Sequence, residues 1–323
     1  MGIYPASCVR KGKPVLIKMS NTNIHTDFTQ PDVVLPHLAF LRAQGKDAAD
    51  FLQRQLTCDV RQIQNGTAQL AAWCNPKGRV IADLLVCCAG NDLFDNEENE
   101  NDFYLVMHKS QLESVAKRMK MFVLRDRVTL TPMDASAIVG CALPAEASSE
   151  AYSLPWDETR GIRIVATTEV ASAPTTTAID ASNDDSSILS AWLQADIAAG
   201  ICWLPQSLGN EFLPQMMGLE ERHAISFEKG CYPGQEVVAR THYLGRVKRH
   251  LQICRYNNAQ AIPEVGALIY NQKGDDIGVL VAISGTNLEG VGLAIMREHD
   301  ANAPAQTSIG AETVSLIFGE KAT

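Results

Sequence analysis

Apolar residues recur at helical spacing in three stretches and crowd into short runs elsewhere, so the chain reads as mixed helix and strand. After Gly45, the positions Ala48, Phe51, Leu52 and Leu56 predict an amphipathic helix over 47–56. Leu112, Val115, Ala116, Met119, Phe122 and Val123 predict a second helix. Ser110 and Glu113 precede it at the spacing of a capping box, in which each side chain satisfies the other residue's backbone N–H. Leu189, Trp192, Leu193 and Ile197 predict a third, stopped by Gly200. Between these helices, Asn75-Pro76-Lys77-Gly78 is a turn that leads into a strand over Arg79–Cys87. Phe103–His108 is expected to return antiparallel, and 91–102, with six acids and no base, is the solvated hairpin tip between them. Residues 144–187 are rich in Ala, Ser, Thr, Asp and Pro and predict short strands and loops. Beyond residue 250 the period changes to two. Leu251–Tyr256, Ala267–Asn271, Ile277–Ser284, Gly290–Arg297 and Thr313–Phe318 predict a small barrel or sandwich. No internal repeat is visible.

A chain of 323 residues exceeds one compact core and predicts two or three subdomains. With 46% hydrophobic and 20% charged residues it has the composition of a soluble globular protein. A net charge of −9 argues against a nucleic-acid or membrane partner for the surface as a whole, though a local basic patch could act differently. No window approaches the roughly 20 apolar residues of a membrane span. The first 26 residues carry Arg10, Lys11, Lys13 and Lys18 without an acid, but they lack a secretory hydrophobic core and are broken by Pro5 and Pro14. A cytoplasmic location is the expectation. Nine scattered cysteines without a Cys-x-x-Cys pair predict reduced thiols, most of them packed, and give poor support to a zinc site or a four-thiolate cluster.

Cys231 lies between Lys229 and a Pro233-Gly234 turn, with Arg240, Arg246, Lys248 and Arg249 following. A turn can present a thiol, and nearby cations favour its thiolate; on the residues alone, a packed cysteine beside a turn is the commoner case. Trp192, at helical spacing, reads as core. Asp83 sits in an apolar strand, where burial without a partner is costly, so it marks either a site or a wet strand edge. The basic stretch 240–250 could meet phosphates or form the solvated edge of a linking strand.

The run Lys229-Gly230-Cys231-Tyr232-Pro233-Gly234-Gln235-Glu236 resembles the diagnostic signature of the YgfZ family, relatives of the glycine-cleavage T-protein. Phe212-Leu213-Pro214-Gln215 and Ala224-Ile225-Ser226-Phe227 fit the family spacing upstream, and weaker similarity extends from about Leu38 to Arg249. The resemblance implies an α+β fold: a T-protein-like folate-binding region over 1–240, itself two subdomains with the second at roughly 110–190, and a small β-barrel over 241–323. It implies that Cys231 is the functional thiol, tuned electrostatically by Lys229 and Glu236, while Gly230 and Gly234 serve backbone geometry. It aligns Trp192 with a folate-contacting tryptophan and Asp83 with the acid beside the reacting folate nitrogen. Three departures accompany it. The second folate-contacting position falls near His37–Leu38 without a tryptophan, Ala82 replaces the first of two adjacent acids, and Ala198 stands where an acid suits the pterin donors. Asp196, two positions away, would leave the helix on a different face.

The implied function is that of a tetrahydrofolate-binding accessory factor for assembly or repair of iron–sulfur proteins, with client proteins or assembly machinery as partners and without clear enzymatic turnover. A folate-dependent aminomethyltransferase-like enzyme is one alternative, and the single acid at Asp83 counts against it. An RNA-binding factor in tRNA modification, using the patch at 240–250, is the other.

Overall fold

A computed structural model describes residues 32–89, 102–133, 136–143, 151–166, 183–257, 259, 261–297, 305–309 and 312–321. The expectations for 1–26, for the acidic tip at 91–101 and for most of 144–187 fall outside these residues.

Three β units share the core. The first is a five-stranded antiparallel sheet in the order β3 (Ala68–Cys74), β4 (Val80–Cys88), β5 (Phe103–His108), β2 (Leu38–Gln44), β6 (Thr129–Pro132). Its interior strand β4 is buried at all nine positions, because both faces of the sheet are covered; this is why the strand reads as a continuous apolar run rather than an alternation. One face carries Ala82, Leu84, Val86 and Cys88 against helices α1 (Ala48–Gln53) and α2 (Leu112–Lys120). The opposite face carries Leu85 and Cys87 toward the second sheet, and by strand periodicity Asp83 shares it. That second sheet runs β1 (Val33–Val34), β7 (Ser136–Ala142), β9 (Asp157–Ala166), β8 (Tyr152–Leu154). Helix α3 (Asn183–Ala198) packs between it and the third unit, a closed barrel ordered β10 (Arg249–Asn257), β13 (Glu289–Arg297), β12 (Asp276–Gly285), β11 (Leu268–Asn271), β14 (Ala305–Ile309), β15 (Glu312–Lys321). The α+β class and the terminal barrel are as expected, and the barrel adds a strand at Ala305–Ile309 to the five legible in the sequence. Alternation sorts the barrel's side chains. Cys254, Tyr256, Leu280, Ala294 and Met296 fill its interior, while Leu251, Ile253, Val279, Leu293 and Ile295 join the core beneath α3.

Helix ends follow local chemistry. Gly200, at φ 72°, closes α3 with N–H bonds from Gly200 to Ile197 O and from Ile201 to Asp196 O, the Schellman pattern. The capping box at Ser110 and Glu113 does not form. A 3-10 turn at Lys109–Gln111 delays the helix to Leu112, the His108 ring accepts from Ser110 N, and the Ser110 hydroxyl instead accepts from Gln206 N at 3.0 Å. The stretch 240–250, considered as a solvated strand edge, divides: Arg249 and His250 begin β10, and 240–244 end a further helix, α4 (Gln235–Leu244). Its β-branched Val237, Val238 and Thr241 concealed it, and only Val238 is buried. Among the described residues no helix is long and apolar enough to cross a membrane.

Trp192 is 1% exposed, lies beneath the Arg160 guanidinium at 4.6 Å, and abuts Gly140 so closely that a Cβ there would stand 2.6 Å from the indole. Trp192→Ala should therefore lower the free energy of unfolding by about 3–5 kcal/mol, and Gly140→Ala by about 1–3 kcal/mol through overpacking. Urea denaturation measures both. A Trp192→Ala protein as stable as the parent would remove the indole from the core.

Candidate functional site

The signature segment is fastened to the five-stranded sheet before it reaches the thiol. The Thr57 hydroxyl donates to Ala224 O at 2.7 Å and accepts from Ala72 N at 2.8 Å, while Ser226 N donates to Thr57 O at 2.8 Å. Three residues on, the buried Lys229 side chain reaches inward and donates to Leu56 O and Cys58 O, both at 2.7 Å. Burial pulls its pKa down to about 8. The ammonium also lies 5.5 Å from the ring of Tyr232, which is itself buried. Lys229 thus uses its hydrogen bonds on carbonyls at the exit of α1.

On the far side of Cys231 the chain is locked by two glycines. Gly234, at φ 82°, would drive a Cβ to 2.4 Å from Asn75 O and 2.6 Å from Gly78 Cα. Gly78, at φ 71°, lies against Val237. The turn at 75–78 is therefore the seat of α4, and Gly234 answers to the backbone role expected of it. Gly230 does not: its φ lies outside the left-handed region, and a Cβ there meets nothing within 4 Å. It leaves the approach to the neighbouring thiol open. Glu236 is exposed in the first turn of α4, where a carboxylate suits the helix N-terminus.

Cys231 is exposed, and the seven other described cysteines are buried. Burial pushes the Cys58, Cys74 and Cys254 thiols up to about 12 and the Cys141 thiol to about 11, which keeps them protonated and inert. Among the described residues no three His, Cys, Asp or Glu side chains gather to hold a metal ion. Beside the signature lies an open cleft of about 630 Å³, lined in part by Asp59, Phe227, Glu228, His242 and Tyr243. Phe227 stacks on His242 at 4.0 Å, and His242 Nδ1 contacts Glu220 Oε1 at 2.5 Å.

A second polar cluster lies inside. Asp83 is 2% exposed, and its carboxylate accepts from Leu204 N at 2.8 Å; burial raises its pKa to about 6. Gln111 steadies the same loop by donating to Ile81 O and Leu204 O. The loop is strained, with Trp203 at φ 42°, a conformation costly for a bulky residue and frequent at functional sites. Asp196, on its own face of α3, points into the protein. It pairs with Arg160 at 3.0 Å and accepts from Trp203 Nε1 at 2.9 Å. Separately, just before β2, His37 is half-buried with both ring nitrogens enclosed and unpartnered, and burial, with His108 nearby, lowers its pKa to about 4. Arg160, Trp203 and the role of His37 were missed in the sequence; a left-handed tryptophan and an arginine reaching across from another sheet leave no local pattern. Asp83 and Trp192 are thus buried on the inner side, while Cys231 faces solvent.

The Asp83 carboxyl is more easily protonated in the folded chain than in the unfolded one, so its contribution favours folding at low pH and is lost as pH rises from near 4 through about 6. Asp83→Asn should match the parent's stability at pH 4. Above pH 7 it should exceed it by up to about 3 kcal/mol, the difference between a carboxyl titrating near 6 and one near 3.8. Denaturant melts at the two pH values check this, and a variant destabilised equally at both would contradict it.

Residues 33–140 match the GCVT N-terminal domain family. An uncharacterized protein of Haemophilus influenzae is 31% identical over 85% of this chain and 91% of its own length. The tRNA-modifying protein YgfZ of Klebsiella pneumoniae is 28% identical over 76% of the chain and 77% of its own length, and its Escherichia fergusonii counterpart 28% over 72% and 74%. The glycine cleavage system aminomethyltransferase T of Bartonella henselae superposes with a TM-score of 0.65 over 90% of this chain and 85% of that one, at 13% identity, a likeness of fold. With the intact Lys229–Glu236 signature on a T-protein-like fold, the chain belongs to the YgfZ family.

Proposed function

We propose that the protein is a tetrahydrofolate-binding accessory factor for the assembly or repair of iron–sulfur proteins, with Cys231 as its working thiol. The observation that carries the reading is the contrast among the described cysteines: one exposed thiol on a segment clamped at both ends, and seven buried ones. A clamp of that kind serves presentation, because a thiol that only filled space would need no access. Family membership supports the folate part, and the T-protein-like fold agrees with it. The enclosed polar groups on two strands of the sheet offer what a pterin's amino and N–H groups need: an acceptor in Asp83 on β4 and an unpartnered imidazole in His37 beside β2. These two residues would hold the ligand, and folate would supply one-carbon carrying capacity when bound. Trp192 fits less well, since Arg160 covers its ring and Gly140 abuts it. We assign it to the wall behind the ligand.

Aminomethyl transfer is the weaker alternative. T-proteins place two acids where this chain has Ala82 and Asp83, and Ala82 is fully buried among the apolar side chains under α1 and α2. The acid pair is thus incomplete in this chain.

Cys231→Ser should unfold within about 0.5 kcal/mol of the parent, as exposed substitutions do, yet fail to restore the activity of a cluster-dependent enzyme in cells lacking the gene. Full restoration by the serine variant would end the thiol assignment. By calorimetry with tetrahydrofolate, His37→Ala and Asp83→Asn should each weaken binding about tenfold or more, the loss of one hydrogen bond to a buried group. Unchanged affinity in both would remove the ligand from these residues.

A further inference from the structure

The segment from Lys117 to Arg127 reverses the character of the chain around it. It carries Lys117, Arg118, Lys120, Arg125 and Arg127 against one acid, Asp126, within a protein of net charge −9. The neighbouring carboxylates are already engaged: Arg54 donates to Asp126 at 2.6 Å, and Arg127 to Asp47 at 3.3 Å. Lys117, Lys120 and Arg125 have no carboxylate partner among the described residues, and Arg118 lies over the Trp73 ring at 5.7 Å. Where α2 ends, the chain turns outward and exposes Met121 by 66%, Phe122 by 44% and Leu124 by 85%. Phe122 keeps one edge against Trp73 at 6.3 Å; Met121 and Leu124 project freely. The helical spacing that predicted Phe122 as core fails here because the helix stops at Lys120.

We infer that this turn is a peripheral docking site for an anionic lipid bilayer. Apolar side chains at a tip, collared by unpaired cations, are what an interfacial anchor needs: the tip enters the head-group layer and the cations meet phosphates. Nucleic acid fits less well, since Met121 and Leu124 would find no apolar or stacking partner on a phosphate backbone. A stable protein interface needs about 800 Å² per partner, which three side chains on one turn do not supply. The chain-wide charge argues against a membrane partner, but screening over about 8–10 Å leaves a surface in contact with lipid governed by the local sign. Each cation near an anionic leaflet raises partitioning about fivefold, so Lys117, Lys120 and Arg125 together raise it on the order of a hundredfold. The site is independent of Cys231 and of folate.

Flotation of the full chain with phosphatidylcholine vesicles, with and without phosphatidylglycerol at about one third of the lipid, tests this. At low ionic strength the protein should float with the anionic vesicles and stay behind with the neutral ones, and 0.5 M salt should abolish the difference by screening, at roughly 4 Å. The double substitution Lys120→Glu, Arg125→Glu should lower partitioning at least tenfold, with the thermal midpoint unchanged because both residues are exposed. Met121→Ser with Leu124→Ser should weaken binding several-fold and keep its salt dependence. Equal partitioning into both vesicle types, or parent-like binding by the charge-reversed protein, overturns the proposal. Retention by a mixed tRNA pool while vesicles are ignored overturns it in favour of nucleic acid.

Discussion

The buried Lys229 ammonium and the two carbonyls it holds organise the site. Strand and helix packing alone would leave residues 226–234 as a surface loop, yet this loop carries a cation into the protein and fastens it to Leu56 O and Cys58 O. Burial works against the charge, as its pKa near 8 records, and two charge-assisted hydrogen bonds, stronger than neutral ones, offset that cost. From this anchor follow the inward ring of Tyr232, the outward sulfur of Cys231 and the seating of Gly234 on the turn at 75–78. The residue that sequence reasoning assigned to electrostatic tuning is, in its contacts, a fastener.

The fold was legible where periodicity had a single cause. β5 falls at the residues expected of it, and the five strands expected after residue 250 all appear in the barrel, because each alternates between two environments. Reading failed where tertiary demands outweighed local chemistry. Ser110 was claimed by the loop at Gln206 rather than by its own helix, and α4 hid behind β-branched residues because it needs to bury only one of them. The site was legible in part for the same reason. An eight-residue signature lies contiguous in sequence, so Cys231 could be singled out. The Arg160–Asp196–Trp203 network joins a strand, a helix and a loop, and no spacing rule brings these together.

The two polar regions obey opposite electrostatic logic. Inside, burial drives Asp83 and His37 toward neutrality. Outside, the cleft beside the signature keeps Asp59 and Glu228 against an aromatic wall of Phe227, His242 and Tyr243.

The Thr57 side chain has a consequence for the order of assembly. One hydroxyl joins Ala72 to Ala224, and its own carbonyl holds Ser226, residues separated by more than 150 positions. A contact across so long a loop forms late, after the entropy of closing that loop has been overcome. During synthesis, the segment that displays the sulfur therefore cannot take its final shape until the strand at 68–74 has found its place and most of the chain has emerged. The outward sulfur is a property of the finished protein rather than of the peptide that carries it.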